Sequence, residues 1–464
     1  MPATLPAGPF KTVETGNGPA PWYIVPFDKV GTCTGPLTRK HLVDEISAKN
    51  FTDAFLFSHG WNNDWEAASN RYENFIAGFI KMRGQFGLDS PPDYRPLLAG
   101  IFWPSTALVM PWEQGPKFAA STGISLDSEV AEWQRELDEI AADIDVASRE
   151  EFYALAQLAR LNDAQASRLA AILSQVVDAY TEADAEAAGS RSISPSGEQL
   201  LERAKKLGKL HGTSSRLPGE FGFIDEPASP PQAAFGLSDL DPRGLIRAAT
   251  VLQMKDRAGT VGKNGVGPLL RDMLQADPTL RVHLVGHSYG AIVVLSALCN
   301  IPSADLPATV SSTLLLQPAV SQWCFAENVD GEGFSGGYRS ALERVASPIF
   351  TTFSRNDGPL TKMFHLAVRR DRDKGQPRMA ADGDLPTPPS SFAALGGFGP
   401  AGLSGEELQV IDMTSPVTRY PIRNPAPKVV ALRGDRIIPS HGDISLPATW
   451  WALFQQVEAG IAAQ

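Results

Sequence analysis

The most informative stretch of the chain is Arg281-Val-His-Leu-Val-Gly-His-Ser-Tyr-Gly-Ala-Ile-Val-Val-Leu-Ser-Ala-Leu298. Its first part, Val282 to Val285, is a short apolar run and predicts a buried strand. Its last part, Ala291 to Leu298, is rich in Ala and Leu and predicts a helix. The pentapeptide Gly286-His-Ser-Tyr-Gly290 lies between them. The sequence therefore predicts a strand, a Gly-x-Ser-x-Gly turn and a helix in direct succession.

Ser288 stands at the centre of this turn. A serine in such a turn usually has a positive φ, and the strand and helix cross so closely that its neighbours must be small. Gly286 and Gly290 meet that requirement, and His287 completes the turn as a supporting residue. The turn would present the Ser288 hydroxyl above the end of a sheet, where the N-terminus of the following helix favours developing negative charge. The pattern thus predicts a nucleophilic serine.

In this arrangement of strand, turn and helix the chain resembles the α/β-hydrolase superfamily, on its esterase and lipase side. The resemblance covers roughly residues 50–105 and 240–460. It implies an α/β fold in which a mostly parallel central sheet is flanked by helices. It also implies that a catalytic acid and then a histidine follow the serine along the chain.

A second part of the resemblance lies near the start of the chain. Asp53–Ser58 predicts a short apolar strand, and His59-Gly60-Trp61 follows it directly. The resemblance implies that the backbone N–H groups of Trp61 and Tyr289 form an oxyanion hole, with Gly60 allowing close approach and His59 bracing the loop. The alternative is an ordinary turn between a strand and a helix.

The acid and the base are chosen by their order along the chain. Only two of the seven histidines, His365 and His441, follow both Ser288 and a plausible acid. His365 would share a helix with the acid, so His441 is the predicted base. Asp357 is the preferred acid because it follows an apolar strand and lies in a Gly/Pro turn. The alternatives to Asp357 are Asp412 and Asp435.

The pattern changes between residues 106 and 239. Residues 127–180 and 199–211 have helical periodicity, and the whole stretch shows no strand signal. We expect an α/β core formed by residues 1–105 and 240–464, with residues 106–239 as a helical cap or lid over the site. The alternative is a solvated helical hairpin that stabilises the core or binds a partner.

Other parts of the core are predicted in less detail. Residues 1–21 are rich in Pro and Gly and predict irregular structure, and Trp22–Phe27 predicts an edge strand because Pro26 cannot donate to a neighbour. Residues 335–345 predict a helix. The apolar runs 408–412 and 428–432 predict one or two strands near the C-terminus.

Composition narrows the classes of partner. The chain has 464 residues, 43% of them hydrophobic and 20% charged, with a formal net charge of −11. This charge disfavours nucleic acid and anionic membranes as main partners. The three cysteines are widely spaced, and we expect neither a disulfide framework nor a metal site. No secretory signal or membrane-spanning run is visible, so a cytoplasmic location is expected.

These residues predict a serine hydrolase that works through an acyl-enzyme intermediate and without a cofactor. The resemblance implies that its substrates are carboxylic esters, such as small-molecule or lipid-like esters. The same triad would serve a thioesterase, an amidase or an acyltransferase. A binding or scaffold protein that uses the helical insertion is the alternative from another class. The sequence leaves the oligomeric state open.

Overall fold

A nine-stranded sheet runs through the part of the chain that the computed structural model describes, namely residues 6–61, 65–88, 93–105, 134, 137–138, 140–178, 196–213, 241–329, 333–367 and 385–462. Its strands lie in the order β1-β2-β4-β3-β5-β6-β7-β9-β8. Only the pair β1 and β2 is antiparallel, so the expected mostly parallel sheet is confirmed. The strands are β1 Lys11–Thr15, β2 Gly18–Pro26, β3 Asp53–Ser58, β4 Pro96–Phe102, β5 Arg281–His287, β6 Ser312–Leu316, β7 Ile349–Phe353, β8 Leu408–Asp412 and β9 Val429–Arg433.

Helices cover both faces of this sheet. Two of them are preceded by a single π-helical turn, Gly262–Val266 before α7 and Pro359–Met363 before α10. The helices are α1 Pro36–Ser47, α2 Trp65–Gln85, α3 Val146–Ala156, α4 Asp163–Asp178, α5 Gly197–Thr213, α6 Pro242–Val261, α7 Gly267–Ala276, α8 Gly290–Asn300, α9 Ala341–Arg344, α10 Phe364–Ala367, α11 Leu395–Phe398 and α12 Pro447–Ala462.

The sheet has a hydrophobic core on each face, because successive side chains along a strand point to alternate faces. In β3, Ala54 and Leu56 join the core beneath α1, α6, α7 and α8, whereas Phe55 and Phe57 join the core beneath α2 and α12. Successive strand side chains point to opposite faces, so a strand that is apolar at every position must be covered on both sides. This places β5, which is the fifth of nine strands, at the centre of the molecule.

The described helices of the 106–239 segment pack onto the first of these cores. Leu169 and Leu173 of α4 belong to the same buried cluster as Leu252 of α6. Asp143, just before α3, accepts hydrogen bonds from Lys29 (2.5 Å) and from Gln253 of α6 (2.8 Å). Among the described residues of this segment we find helices and turns and no strand. The division of the chain into two domains stays a prediction.

Three expectations about the core are wrong in detail. The Trp22–Phe27 segment is not at the edge, because β1 forms within the supposedly irregular residues 1–21 and pairs outside β2. Pro26 is tolerated because it is the last residue of its strand. The helix expected over 335–345 is limited to Ala341–Arg344. Both C-terminal runs are strands, and β8 is the edge strand next to β9.

A buried polar network ties the N-terminal ends of three central strands together. Asp53 of β3 accepts two hydrogen bonds from Arg281 of β5, at 2.8 and 2.7 Å, and one from His283 Nε2 at 3.0 Å. His283 Nδ1 lies 2.8 Å from Ser312 Oγ of β6. Burial alone would raise the pKa of Asp53, but the hydrogen bonds from His283 and Arg281 outweigh it and lower the pKa to about 2.

None of the described helices is both long enough and apolar enough to cross a membrane.

Replacing Asp53 with Asn should lower the free energy of unfolding at pH 7 by about 3 kcal/mol, because Arg281 would lose its buried counterion. Urea unfolding followed by circular dichroism measures this. The matched control is Glu151→Gln, which breaks an exposed ion pair with Arg168 and should leave stability nearly unchanged. Equal losses in the two variants would contradict the structural role of the network.

The same carboxylate should make stability depend on pH. The pKa of Asp53 is about 2 in the folded protein and about 3.9 in an unfolded chain. Its contribution of about 2–3 kcal/mol is therefore present in full above about pH 4 and is lost as the pH falls from there toward 2. The stability difference between wild type and Asp53→Asn should be smaller at pH 3 than at pH 5, and an unchanged difference would contradict this.

Candidate active site

The turn after β5 has the strained geometry that its sequence predicts. Ser288 has φ of 54°, a left-handed conformation that costs a non-glycine residue of order 1–3 kcal/mol. A Cβ atom on Gly286 would lie 2.7 Å from Ala291 Cα, and one on Gly290 would lie 2.1 Å from the carbonyl oxygen of Ser58. Only glycine fits at these two positions, because β5, β3 and α8 approach so closely around Ser288.

Ser288, His441 and Asp357 form one hydrogen-bonded chain. His441 Nε2 lies 2.8 Å from Ser288 Oγ, and His441 Nδ1 lies 2.7 Å from Asp357 Oδ2. The side chain of Asp357 is fully buried, while Ser288 and His441 are each 5% exposed. Ionised Asp357 can only accept, so Nδ1 carries the proton and Nε2 accepts from the serine hydroxyl. The arrangement can remove the proton from Ser288 as it attacks an electrophile.

The three residues of this hydrogen-bonded chain follow three different strands of the sheet. Ser288 follows β5, Asp357 follows β7, and His441 follows β9. These strands are parallel, so their carboxyl ends meet at one edge of the sheet, where α/β proteins place their sites. The second oxygen of Asp357, Oδ1, accepts the backbone N–H of Leu360 at 2.9 Å in the π-helical turn. Both carboxylate oxygens are thus held.

The loop after β3 lies directly against Ser288. A Cβ atom on Gly60 would be 2.6 Å from Ser288 Cβ and 3.2 Å from Ser288 Oγ. Gly60 therefore borders Ser288 at a distance that no larger residue could keep. Trp61 follows it and is half-buried, with its ring 6.4 Å from the ring of Tyr289. The two residues predicted to form an oxyanion hole lie on the two backbone segments that flank Ser288.

His59 braces this loop, as its place in the sequence predicts. Its Nε2 accepts the backbone N–H of Trp103 at 3.3 Å, so Nδ1 carries the proton and donates to the carbonyl oxygen of Gly60 at 2.8 Å. The ring stacks on that of Trp103, with centroids 5.5 Å apart. Burial lowers the pKa of His59 to about 4, so it stays neutral near pH 7.

Tyr289 connects the turn around Ser288 to α6, the helix onto which the described helices of the 106–239 segment pack. It directly precedes α8, and its hydroxyl donates to the carbonyl oxygen of Val251 in α6 at 3.2 Å. Through this bond the segment next to Ser288 is fixed to α6, onto which α4 and α5 also pack.

The alternative acids and the alternative base lie elsewhere. Asp435 accepts two hydrogen bonds from Arg355, one from the backbone N–H at 2.8 Å and one from Nε at 2.9 Å. Asp412 is exposed at the end of edge strand β8 and faces Arg433 at 3.4 Å. His365 is on α10, and the ring that hydrogen bonds to Ser288 is that of His441. The order rule therefore selected the residues that the structure brings together.

Sequence reasoning missed the residue that holds the backbone of His441. Gln317 follows β6, and its Nε2 donates to the carbonyl oxygens of His441 at 2.8 Å and Ser440 at 3.1 Å. His287 Nε2 donates to the same His441 oxygen at 2.9 Å. A polar residue directly after the apolar run of β6 was the available signal, and it is a weak one.

Among the described residues, no three His, Cys, Asp or Glu side chains are grouped so that they could hold a metal ion. No protein-family model matches the chain, and no curated protein or solved structure matches it either.

The replacement Gly60→Ala should slow covalent labelling of Ser288 by a fluorophosphonate probe at least about 10-fold, since a new methyl group would push the serine away from His441. In-gel fluorescence against time gives the rate. Gly358→Ala is the control, because a Cβ at Gly358 meets no atom within 4 Å and its φ is −56°. Equal labelling of the two variants would contradict the close approach of Gly60.

Proposed function

We propose that this protein is a serine hydrolase that cleaves carboxylic ester bonds through an acyl-enzyme intermediate on Ser288. The observation that carries the proposal is the hydrogen-bonded chain from Ser288 Oγ to His441 Nε2 (2.8 Å) and from His441 Nδ1 to Asp357 Oδ2 (2.7 Å). The left-handed backbone of Ser288 supports it, because strained backbone of this kind clusters at active sites, where it helps to hold a reacting group in place.

We also propose that the sheet and its loops form an α/β-hydrolase fold. Three loops in the expected order support this, with Ser288 after β5, Asp357 after β7 and His441 after β9. The proposed cap, residues 106–239, is supported by the packing of α4 and α5 onto α6. Only 5% of Ser288 is exposed, so a substrate must reach it through a narrow opening or after the covering residues move.

In the first half of the proposed reaction, Ser288 Oγ attacks the carbonyl carbon of the ester while its proton moves to His441 Nε2. Asp357 stabilises the resulting imidazolium and keeps the ring in the required tautomer. The backbone N–H groups of Trp61 and Tyr289 donate to the oxyanion. The bond to the alcohol oxygen then breaks, and His441 returns the proton to that oxygen.

In the second half, water replaces the alcohol. His441 takes a proton from the water as its oxygen attacks the acyl carbon, and a second tetrahedral intermediate forms. This intermediate breaks the bond to Ser288 Oγ, which regains its proton from His441. The products are a carboxylic acid, an alcohol and the free enzyme, and the chemistry requires no metal or cofactor.

The preference for esters rests on the resemblance, and a thioesterase, an amidase or an acyltransferase would use the same residues. A substrate panel separates these activities. If the enzyme hydrolyses thioesters or anilides and leaves oxygen esters intact, Ser288 remains the proposed nucleophile and only the proposed substrate class changes.

The proposal predicts hydrolysis of p-nitrophenyl esters between acetate and palmitate. Ser288→Ala should abolish it, and Asp357→Asn should lower kcat by about 10³–10⁴-fold, because the imidazole loses its tautomer and its counterion. The matched control is Asp435→Asn, which removes a carboxylate of the same sheet edge that pairs with Arg355. It should keep nearly full activity.

Two results would contradict this proposal. One is a wild-type protein that hydrolyses none of these esters and whose serine no fluorophosphonate labels, which would favour a binding or scaffold role. The other is an Asp435→Asn enzyme that is as impaired as Asp357→Asn. This would mean that the catalytic acid has been assigned wrongly.

A further inference from the structure

The backbone carbonyl of His441 accepts two buried hydrogen bonds from outside its own loop. Gln317 Nε2 donates to it at 2.8 Å and His287 Nε2 at 2.9 Å. Gln317 is 124 residues away in the sequence and His287 is 154 residues away. The loop that carries His441 is thus fastened to the ends of β6 and β5, the second of which also carries Ser288.

Gln317 is itself held in one orientation. It is fully buried and has φ of 38°, a left-handed conformation that glutamine rarely adopts. Thr352 of β7 accepts the backbone N–H of Gln317 at 2.9 Å and donates its hydroxyl to Oε1 at 3.3 Å. With Oε1 occupied by a donor, the amide nitrogen must face the carbonyls of Ser440 and His441. The strained backbone directs this side chain to the loop of the base.

His287 contributes a neutral donor. A carbonyl oxygen only accepts, so Nε2 of His287 carries the ring proton. Burial lowers the pKa of His287 well below its usual range, and the neighbouring His441 lowers it further. The two rings are 5.0 Å apart. A charged His287 at that distance would oppose the positive charge that His441 acquires when it takes the serine proton.

We propose that Gln317 and His287 are positioning residues for the general base, and that together they fix the backbone of His441 so that its ring stays between Ser288 and Asp357. This inference rests on the proposed serine hydrolase function. It assigns no contact with substrate to either residue.

The expected effect is on chemistry and not on substrate binding. A shift of about 1 Å in a reacting group can cost on the order of 100-fold in rate. The interactions of His441 with the serine proton matter most in the transition state, so their loss lowers kcat and kcat/KM equally and leaves KM unchanged. We therefore expect Gln317→Met, which keeps length and shape but lacks the donor, to lower kcat by about 10–100-fold.

Gln456→Met is the matched control. Gln456 is also buried, and its Nε2 also donates to two backbone carbonyls, those of Thr313 at 3.0 Å and Pro348 at 2.9 Å. These carbonyls lie near the amino ends of β6 and β7, away from His441. Both variants lose two hydrogen bonds from a buried amide nitrogen to backbone carbonyls, and Gln317→Met also loses the longer bond that Thr352 donates to Oε1 at 3.3 Å. They should lose similar stability, while only Gln317→Met loses kcat.

The experiment measures kcat and KM on the best p-nitrophenyl ester, the fluorophosphonate labelling rate and the melting temperature for wild type and both variants. Thr352→Val, which frees the amide of Gln317, provides a milder second variant if Gln317→Met does not fold. Thr352→Val should also lower kcat, by a smaller factor than Gln317→Met. A fall in kcat and labelling rate at constant KM, absent from Gln456→Met, supports the positioning role.

Equal kcat in Gln317→Met and Gln456→Met, or a raised KM with unchanged kcat, would overturn it. A wild-type enzyme that neither turns over esters nor reacts with the probe would instead overturn the proposed function, so the two failures are distinguishable.

Discussion

The structure depends most on the close crossing of β5 and α8 around Ser288. The left-handed backbone there is possible only because Gly286 and Gly290 let the strand, the helix and the end of β3 approach within distances that any Cβ would prevent. Gly60 extends the same constraint to the loop after β3. The strain is supported by a sheet that is buried on both faces and fastened at its opposite end by Asp53 and Arg281. A rigid scaffold of this kind can keep one residue in an unfavourable conformation.

A rigid sheet alone does not fix the position of His441, the proposed base, because His441 lies in a loop and not on a strand. Its ring is fixed by Asp357, whose other oxygen is held by the backbone of Leu360, and its backbone is fixed by Gln317 and His287. Asp357, Gln317 and His287 lie at the carboxyl ends of three different strands, so the spacing of the sheet determines the position of His441. Two buried neutral histidines, His59 and His287, supply directional donors around the triad without adding charge.

The parts of this site that belong to a local motif, or to the order of residues that the resemblance implies, could be predicted, and those with neither signal could not. Strand, pentapeptide and helix follow one another within residues 281–298, so the turn that carries Ser288, the proposed nucleophile, was visible as a local pattern. Asp357 and His441 followed from the order implied by the resemblance. Gln317 carries no motif, and its role appears only when β6 is placed beside β5. Strand β1 was missed because its sequence, Lys11–Thr15, is exposed and polar, and its register depends on pairing with β2.

The most direct test of this account is to locate the covalent adduct that a fluorophosphonate forms with the protein, by peptide mass spectrometry. The account predicts a single stoichiometric adduct on Ser288, and none after His441→Ala, because the serine is nucleophilic only when His441 accepts its proton. An adduct on another residue, or labelling of Ser288 that persists without His441, would contradict the assignment of these residues as nucleophile and base.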